Sequence, residues 1–375
     1  MSRPTRPVRL GPLAGLFLGA VACAAVTAAS SETSLDSWSR SSPILRAAAR
    51  YVPASAGMIS DAIARDATPP VERADDSPAP PVTASRCTRH GRPCTVWDRP
   101  MRESWPAERE WSVSLEDEYS RFVTAIGRGI SSRRCIHLDD CLNSPSINPL
   151  WDRDEVRLGL RPDCADVPYL LRGYFAFKRH LPFGFVAAMG GEGGDPRYLH
   201  QGVPVLWRQW TDFRSPRALF DEMPSFVHSG MFRLSPKLED GDTYAPRIDR
   251  ASVRPGSMYY DTDGHVLVVT EVAPDGSIQF IDGHPGGSIS HPHFETPRQS
   301  PPGSAQWGGG FRNWRPQRLV NGSIVRARNA TLADFAPFEQ YDRTRYAING
   351  LRVEYDDWVR HSLRTPVDET LQASR

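Results

Sequence analysis

Three residues in this chain have the side chains and local settings that covalent acyl transfer needs: Cys164, His265 and Asp282. A thiolate attacks a carbonyl, an imidazole takes the thiol proton and returns it to the leaving group, and a carboxylate holds that imidazole in the useful tautomer. Cys164 follows Arg161-Pro162-Asp163 and precedes Val167, Leu170, Leu171, Tyr174, Phe175 and Phe177, whose spacing predicts a helix that Leu181-Pro182-Phe183 ends. The thiol is therefore predicted at a helix N-terminus. There, unsatisfied backbone N–H groups and the positive end of the helix dipole favour thiolate and face an oxyanion. His265 opens a predicted strand, His265 to Val272, and Asp282 ends the next, Ser277 to Asp282, with Pro274-Asp275-Gly276 as the turn between them. Arg254-Pro255-Gly256 is the turn that feeds this hairpin. The competing account of a lone cysteine is a small buried hydrophobe or an intermolecular bridge.

Cys164 stands alone because the other cysteines have other uses. Arg3, Arg6 and Arg9 precede an apolar stretch from Leu10 to Val26 that ends in small residues through Ala29, the pattern of a signal peptide over residues 1–29. Cleavage near Ala28 or Ala29 competes with lipidation of Cys23 in Ala20-Val21-Ala22-Cys23, and with a retained anchor, so a membrane tether through the N-terminus is one expectation. Export to an oxidising periplasm or cell envelope lets close cysteine pairs persist, and Cys87–Cys94 and Cys135–Cys141 each enclose a short loop. Zinc held by these four with His90 and His137 would need tighter ligand spacing.

The elements that must position this chemistry occupy part of the chain. Residues 30–110 are rich in Ser, Ala, Pro and Arg, with Pro78-Ala79-Pro80-Pro81, and are expected to be a disordered linker apart from a short amphipathic helix around Ile44 to Ile63. From Trp111 the character changes, and Leu115, Tyr119, Phe122, Val123 and Ile126 predict the first core helix. Residues 111–330 are expected to form the catalytic domain. Residues 331–375 are expected to be a helical extension, with helices around Phe335 to Tyr341 and Val353 to Leu363, serving as packing or as a peripheral arm. The 375 residues carry a net charge of +1, which offers nucleic acid no electrostatic attraction. A mean hydropathy of -0.45 argues against a polytopic membrane protein. Nearly all the basic charge is arginine, with lysine only at Lys178 and Lys237, which is read as genome composition.

The run Asp163-Cys164-Ala165-Asp166-Val167-Pro168-Tyr169-Leu170-Leu171, with Pro182 after it, resembles the Cys-x-Asp helix of bacterial transglutaminase-like cysteine proteases. The strand pair from Gly264-His265-Val266 to Phe280-Ile281-Asp282-Gly283 resembles that family's His strand and terminal Asp. The same elements are similar to NlpC-type endopeptidases of the cell wall, in which an Asp-Cys pair opens a helix and a Pro-Gly turn precedes the His strand. Both belong to the papain-like group. The resemblance implies an α+β fold with the nucleophile helix packed on an antiparallel sheet, and covers roughly residues 115–290. It implies Cys164 as nucleophile, His265 as base and Asp282 as orienting acid, with Asp166 and Asp163 in support near the helix start. Ala165-Asp166 stands where the NlpC pattern has Ser-Gly, and Pro255-Gly256-Ser257 where it has Pro-Gly-Asp, which favours the transglutaminase-like branch. An insertion around Gly190 to Tyr244 must also be accommodated; its Gly190-Gly191-Glu192-Gly193-Gly194 is read as a mobile loop, and Trp207, Trp210 and Phe213 as either cleft lining or core.

A rival chemistry lies in His265, Asp282, His284, His291 and His293, since His-x-His spacing can put two imidazoles on one metal. No His-Glu-x-x-His helix or second carboxylate cluster accompanies them, so no metal and no cofactor is expected, and His284 is kept as a spare candidate for the third catalytic position. Gly308-Gly309-Gly310 lacks the Lys-Ser/Thr ending of a phosphate loop and reads as a turn into a strand. The expected function is an exported cysteine peptidase or amidase, with a peptidoglycan stem peptide or an envelope protein as substrate. The alternatives are a transglutaminase-type acyltransferase and a non-catalytic envelope binding or scaffold protein on the same fold.

Overall fold

The computed structural model describes residues 88–89, 92–191, 202–295, 302–303 and 305–366. They fall within one unit, Val82–Arg375. The expected signal peptide, Cys23, the helix around Ile44 to Ile63, Cys87 and Glu192-Gly193-Gly194 lie outside the described residues.

Strands β1 (Thr88–Arg89) and β2 (Arg92–Pro93) and helix α1 (Met101–Ser104) precede α2 (Val113–Ser131), α3 (Leu138–Leu142) and α4 (Asp166–Arg179). A hairpin of β3 (Gly184–Gly190) and β4 (Val203–Gln209) and helix α5 (Pro216–Glu222) follow. Then come β5 (Thr243–Tyr244), β6 (Met258–Asp261), β7 (His265–Val272), β8 (Ile278–Gly283), β9 (Ile289–Ser290) and β10 (Gly310–Trp314). Hairpins β11 (Gln317–Val320) with β12 (Ser323–Arg326) and β13 (Ala347–Ile348) with β14 (Leu351–Arg352) lead to α6 (Tyr355–Ser362). Helices combined with antiparallel sheets make this an α+β protein. No helix among the described residues is long and apolar enough to cross a membrane.

The central sheet has six strands in the order β5-β10-β6-β7-β8-β9, every pair antiparallel. Because β7 and β8 run in opposite directions, the first residue of β7, His265, and the end of β8, Asp282, lie at the same end of the sheet. The pairing Val268↔Ile281 puts Leu267 opposite Asp282; His265, two residues back along the strand, is then its diagonal neighbour on the same side. Gly276 takes φ +83° in the turn between the strands, and Gly256 takes φ +95° in the turn before β6, conformations that glycine adopts without strain.

Helix α2 buries the predicted stripe Leu115, Tyr119, Phe122, Val123 and Ile126. It crosses β7 closely: a Cβ on Gly127 would lie 2.4 Å from Thr270 Cβ, and Thr124 Oγ1 donates to the Thr270 carbonyl at 3.0 Å. Helix α4 is buried on nearly every side, including Val167, Leu170, Leu171, Tyr174, Phe175 and Phe177, and its Tyr169 hydroxyl donates to the buried Asp242 carboxylate at 2.9 Å.

Two expectations need correction. Packed chain begins before Trp111, because Trp97, Met101 and Trp105 are core residues on a short helix and irregular backbone that carry no periodic signal. Phe335 to Tyr341 is not a helix; only Glu339–Tyr341 forms a 3-10 turn, since Pro337 cannot donate a helical hydrogen bond and Phe338 stays exposed. Of the two readings of residues 331–375, packing holds: Tyr346, Tyr355, Trp358, Val359 and Leu363 are buried against Tyr259, Leu267, Val269, Phe280 and Phe311 of the sheet. Trp210 and Phe213 are buried in the core, whereas Trp207 is exposed and donates its indole N–H to the Asp240 carbonyl at 3.1 Å.

Candidate active site

Two carboxylates build the turn that carries the thiol. Asp163 Oδ1 accepts from the backbone N–H of Ala165 at 2.9 Å and of Asp166 at 3.2 Å, and Asp166 Oδ2 accepts from the N–H of Asp163 at 3.0 Å. This is the reciprocal logic of a capping box. The Val167 N–H reaches the Asp163 carbonyl at 3.3 Å, and Cys164 lies in the turn that leads into α4, one residue before its N-cap Ala165. Cys164 is a free thiol, half-buried. Its own backbone N–H has no acceptor among the described residues, in contrast to the two amides that follow it. Asp166 is buried and its Oδ1 has no hydrogen-bond partner among the described residues. Burial, added to by the neighbouring Asp163 charge and opposed by the Asp163 N–H, pushes its carboxyl up to about 7.

Close approach of this turn to the sheet depends on one glycine. A Cβ on Gly283 would lie 2.5 Å from the Asp163 carbonyl oxygen and 2.8 Å from Val167 Cγ2. Any other residue there would push the Cys164 turn away from β8.

His265 Nε2 lies 2.8 Å from Asp282 Oδ1, with the imidazole 40% exposed and the carboxylate 7%. The distance is that of a hydrogen bond, although the ring N–H is not aimed squarely at the oxygen, which has no aligned partner among the described residues. Catalytic hydrogen bonds in free enzymes are often poorly aligned and tighten on substrate binding. Hydrogen bonding to Asp282 and then to Cys164, opposed by burial, pushes the His265 imidazole up to about 10. With Nε2 on Asp282, Nδ1 is the nitrogen left for the thiol. Cys164, His265 and Asp282 are thus brought together from a helix start and two strand ends.

His284, the spare candidate, touches the carboxylate and not the catalytic position. Its Nε2 is 3.0 Å from Ser290 Oγ and 3.5 Å from Asp282 Oδ2, and its ring centroid is 6.3 Å from that of His265. A separate serine triad would need Ser290 and Asp282 on different ring nitrogens, and here both face the same one. His291 and His293 are exposed, and their backbone joins the edge of β8 through Gln279. Among the described residues no group of three His, Cys, Asp or Glu side chains is arranged to hold a metal.

Cys135 and Cys141 form a disulfide. Cys94 is also disulfide-bonded, and Cys87 lies outside the described residues. Residues that sequence patterns did not single out for the site are Gly283, described above, and His137, whose Nδ1 lies 3.0 Å from the Gly287 carbonyl. Gly283 had a signal, a glycine directly after the acid; His137 had none, since its partner is 150 residues away. No protein-family model, no curated protein and no solved structure matches this chain.

Proposed function

We propose that the chain is an exported cysteine hydrolase, a peptidase or amidase with a papain-like, transglutaminase-like core, acting on an amide bond in the cell envelope. The observation that carries it is the single imidazole of His265 contacting both the Asp282 carboxylate at 2.8 Å and the Cys164 thiol. In the reaction, His265 Nδ1 takes the Cys164 proton and Sγ bonds to the amide carbon. The Cys164 N–H, which has no acceptor among the described residues, would donate to the oxyanion. The C–N bond then breaks as the imidazolium returns the proton to the departing amine, leaving a thioester. Water, deprotonated by the same imidazole, attacks the thioester carbon and restores the thiol. Stem peptides of peptidoglycan and envelope proteins are the substrates that an exported enzyme of this kind meets; an amine in place of water would make the same site a transferase.

The test is mass-spectrometric measurement of Cys164 alkylation by iodoacetamide between pH 5 and 9, with His265→Ala as control. An ordinary thiol loses on the order of a hundredfold in rate between pH 8.5 and pH 6. The hydrolase predicts a rate at pH 6 within about threefold of that at pH 8.5, and an ordinary profile in His265→Ala. An inert thiol, or reactivity that ignores His265, would overturn it and leave the non-catalytic binding protein.

A further inference from the structure

The Cys135–Cys141 disulfide closes a seven-residue turn that includes Leu138 to Cys141 of α3 and touches both sides of the candidate site. On one side, His137 Nδ1 lies 3.0 Å from the Gly287 carbonyl. A carbonyl only accepts, so Nδ1 carries the hydrogen. Gly287 belongs to the loop that leaves Asp282 through His284, and that loop is closed on itself by His284 N–H to the Ser288 carbonyl and Gly287 N–H to the His284 carbonyl, each at 2.9 Å. On the other side, the buried Asp139 accepts from the Leu158 N–H through Oδ1 and from the Gly159 N–H through Oδ2, each at 3.1 Å. That backbone runs through Arg161 directly into Cys164. The two sides also meet each other: a Cβ on Gly287 would lie 2.7 Å from Arg161 Cα, and Arg161 Nη1 donates to the Gly286 carbonyl at 3.4 Å.

A five-residue helix does not persist alone. Here the disulfide and the burial of Leu138, Cys141 and Leu142 hold it. We infer that this disulfide-closed turn is a brace that sets the separation of Cys164 from His265, with His137 and Asp139 as its positioning residues. It rests on the proposed hydrolase site. Neither residue touches the reacting atoms; both act through backbone, His137 on the loop that follows the orienting acid and Asp139 on the segment that precedes the nucleophile. Loss of either hydrogen-bond set lets the Cys164 segment move relative to the sheet, which weakens a thiol–imidazole contact that depends steeply on distance.

The experiment uses the mature full chain and reads the pH profile of Cys164 alkylation by iodoacetamide alongside the melting temperature. His137→Ala is expected to melt within a few degrees of the parent yet to slow alkylation at pH 6 by about tenfold, toward the His265→Ala profile. His137→Asn, whose side-chain amide can occupy the Nδ1 position and donate to Gly287, is expected to restore the rate to within about twofold. Asp139→Asn, which keeps one acceptor oxygen and loses the other, is expected to fall between parent and His137→Ala. The Cys135→Ser/Cys141→Ser pair is expected to slow alkylation at least as much as His137→Ala; should it fail to fold, the His137 and Asp139 variants decide. A His265-dependent thiol whose profile is the same in parent, His137→Ala and Asp139→Asn overturns the brace alone. A parent thiol with no His265 dependence overturns the hydrolase and the brace together.

Discussion

The two faces of the six-stranded sheet are covered with different chemistry. On one face Met258, Tyr260, Val266, Val268, Ile281 and Trp314 pack in the same core as α2 and α4. That core includes a buried ion pair, Arg172 to Glu116 at 2.9 and 2.5 Å, with the guanidinium 3.4 Å from the Trp111 ring centre. Tyr119, Arg312 and Trp314 each bury a polar atom without an aligned partner among the described residues. On the other face, Tyr259, Leu267, Val269, Phe280 and Phe311 lie beneath Tyr346, Tyr355, Trp358, Val359 and Leu363. Gln340, a polar group there, is satisfied: it accepts from the Phe311 N–H at 2.8 Å and donates to the Phe311 carbonyl at 3.0 Å. The aromatic face seals the sheet and contributes burial energy. The helical face carries these polar seams, and the turn that leads into its α4, with the thiol and two acids, meets the end of β8 at Gly283.

The largest effect expected on the sealed face is that of Trp358→Ala. It should cost about 3–5 kcal/mol of stability by urea unfolding, while Cys164 alkylation in the folded fraction keeps its pH profile. A changed profile would break the independence of the two faces. At the site end, Asp282→Ala removes the hydrogen bond that does most to raise the His265 imidazole. A basic group with a raised folded value contributes stability that is fully present below pH 6.5 and is lost as pH rises through about 10. In Asp282→Ala the His265 titration, followed by nitrogen-detected NMR of the imidazole, should have its midpoint lowered by about one to two pH units. An unmoved midpoint would mean that Asp282 does not hold the imidazole.

Asp166 shifts the pH dependence of stability at lower pH. Its carboxyl is raised to about 7, so the folded chain binds a proton that the unfolded chain releases near pH 4, and this group makes stability fall as pH rises from about 4 to 7. Asp166→Asn should flatten that fall and leave the variant about 1–3 kcal/mol more stable than the parent at pH 8, read by denaturant unfolding at pH 5 and pH 8. Equal slopes in parent and variant would show that the buried acid is compensated. The smallest effect belongs to the β3–β4 hairpin, where Val203, Val205 and Trp207 are exposed. Val205→Ser should change stability by no more than about 0.5 kcal/mol and leave alkylation unaltered.

Much of the positioning framework is legible in residue spacing. The three-and-four recurrence in Leu115 to Ile126 and Val167 to Phe177 marks α2 and α4 because a helix must bury a stripe. His265 to Val272 coincides with β7, bounded by Gly264 and the turn at Gly276. Trp97, Met101 and Trp105 escape such reasoning, since their burial is collected from short segments whose order in space is set by partners such as Leu181 and Trp210. Trp105 donates its indole N–H to the Leu181 carbonyl at 2.8 Å, and the Trp105 carbonyl accepts from the Trp210 indole at 3.0 Å. The apparent periodicity of Phe335 to Tyr341 misleads because spacing counts apolar residues and ignores the missing N–H of Pro337.

Residue spacing is enough for the strongly periodic elements, α2, α4 and β7, and for the chain order of thiol, imidazole and carboxylate, because backbone periodicity and capping act over a few residues. Long-range packing puts Nε2 of His265 on Asp282, brings His284 to the carboxylate and not to the thiol, lets Gly283 admit the Cys164 turn, and joins both sides of the site through a disulfide-closed loop. Those outcomes depend on strand register and on close approaches between segments tens to more than a hundred residues apart, which no local pattern encodes.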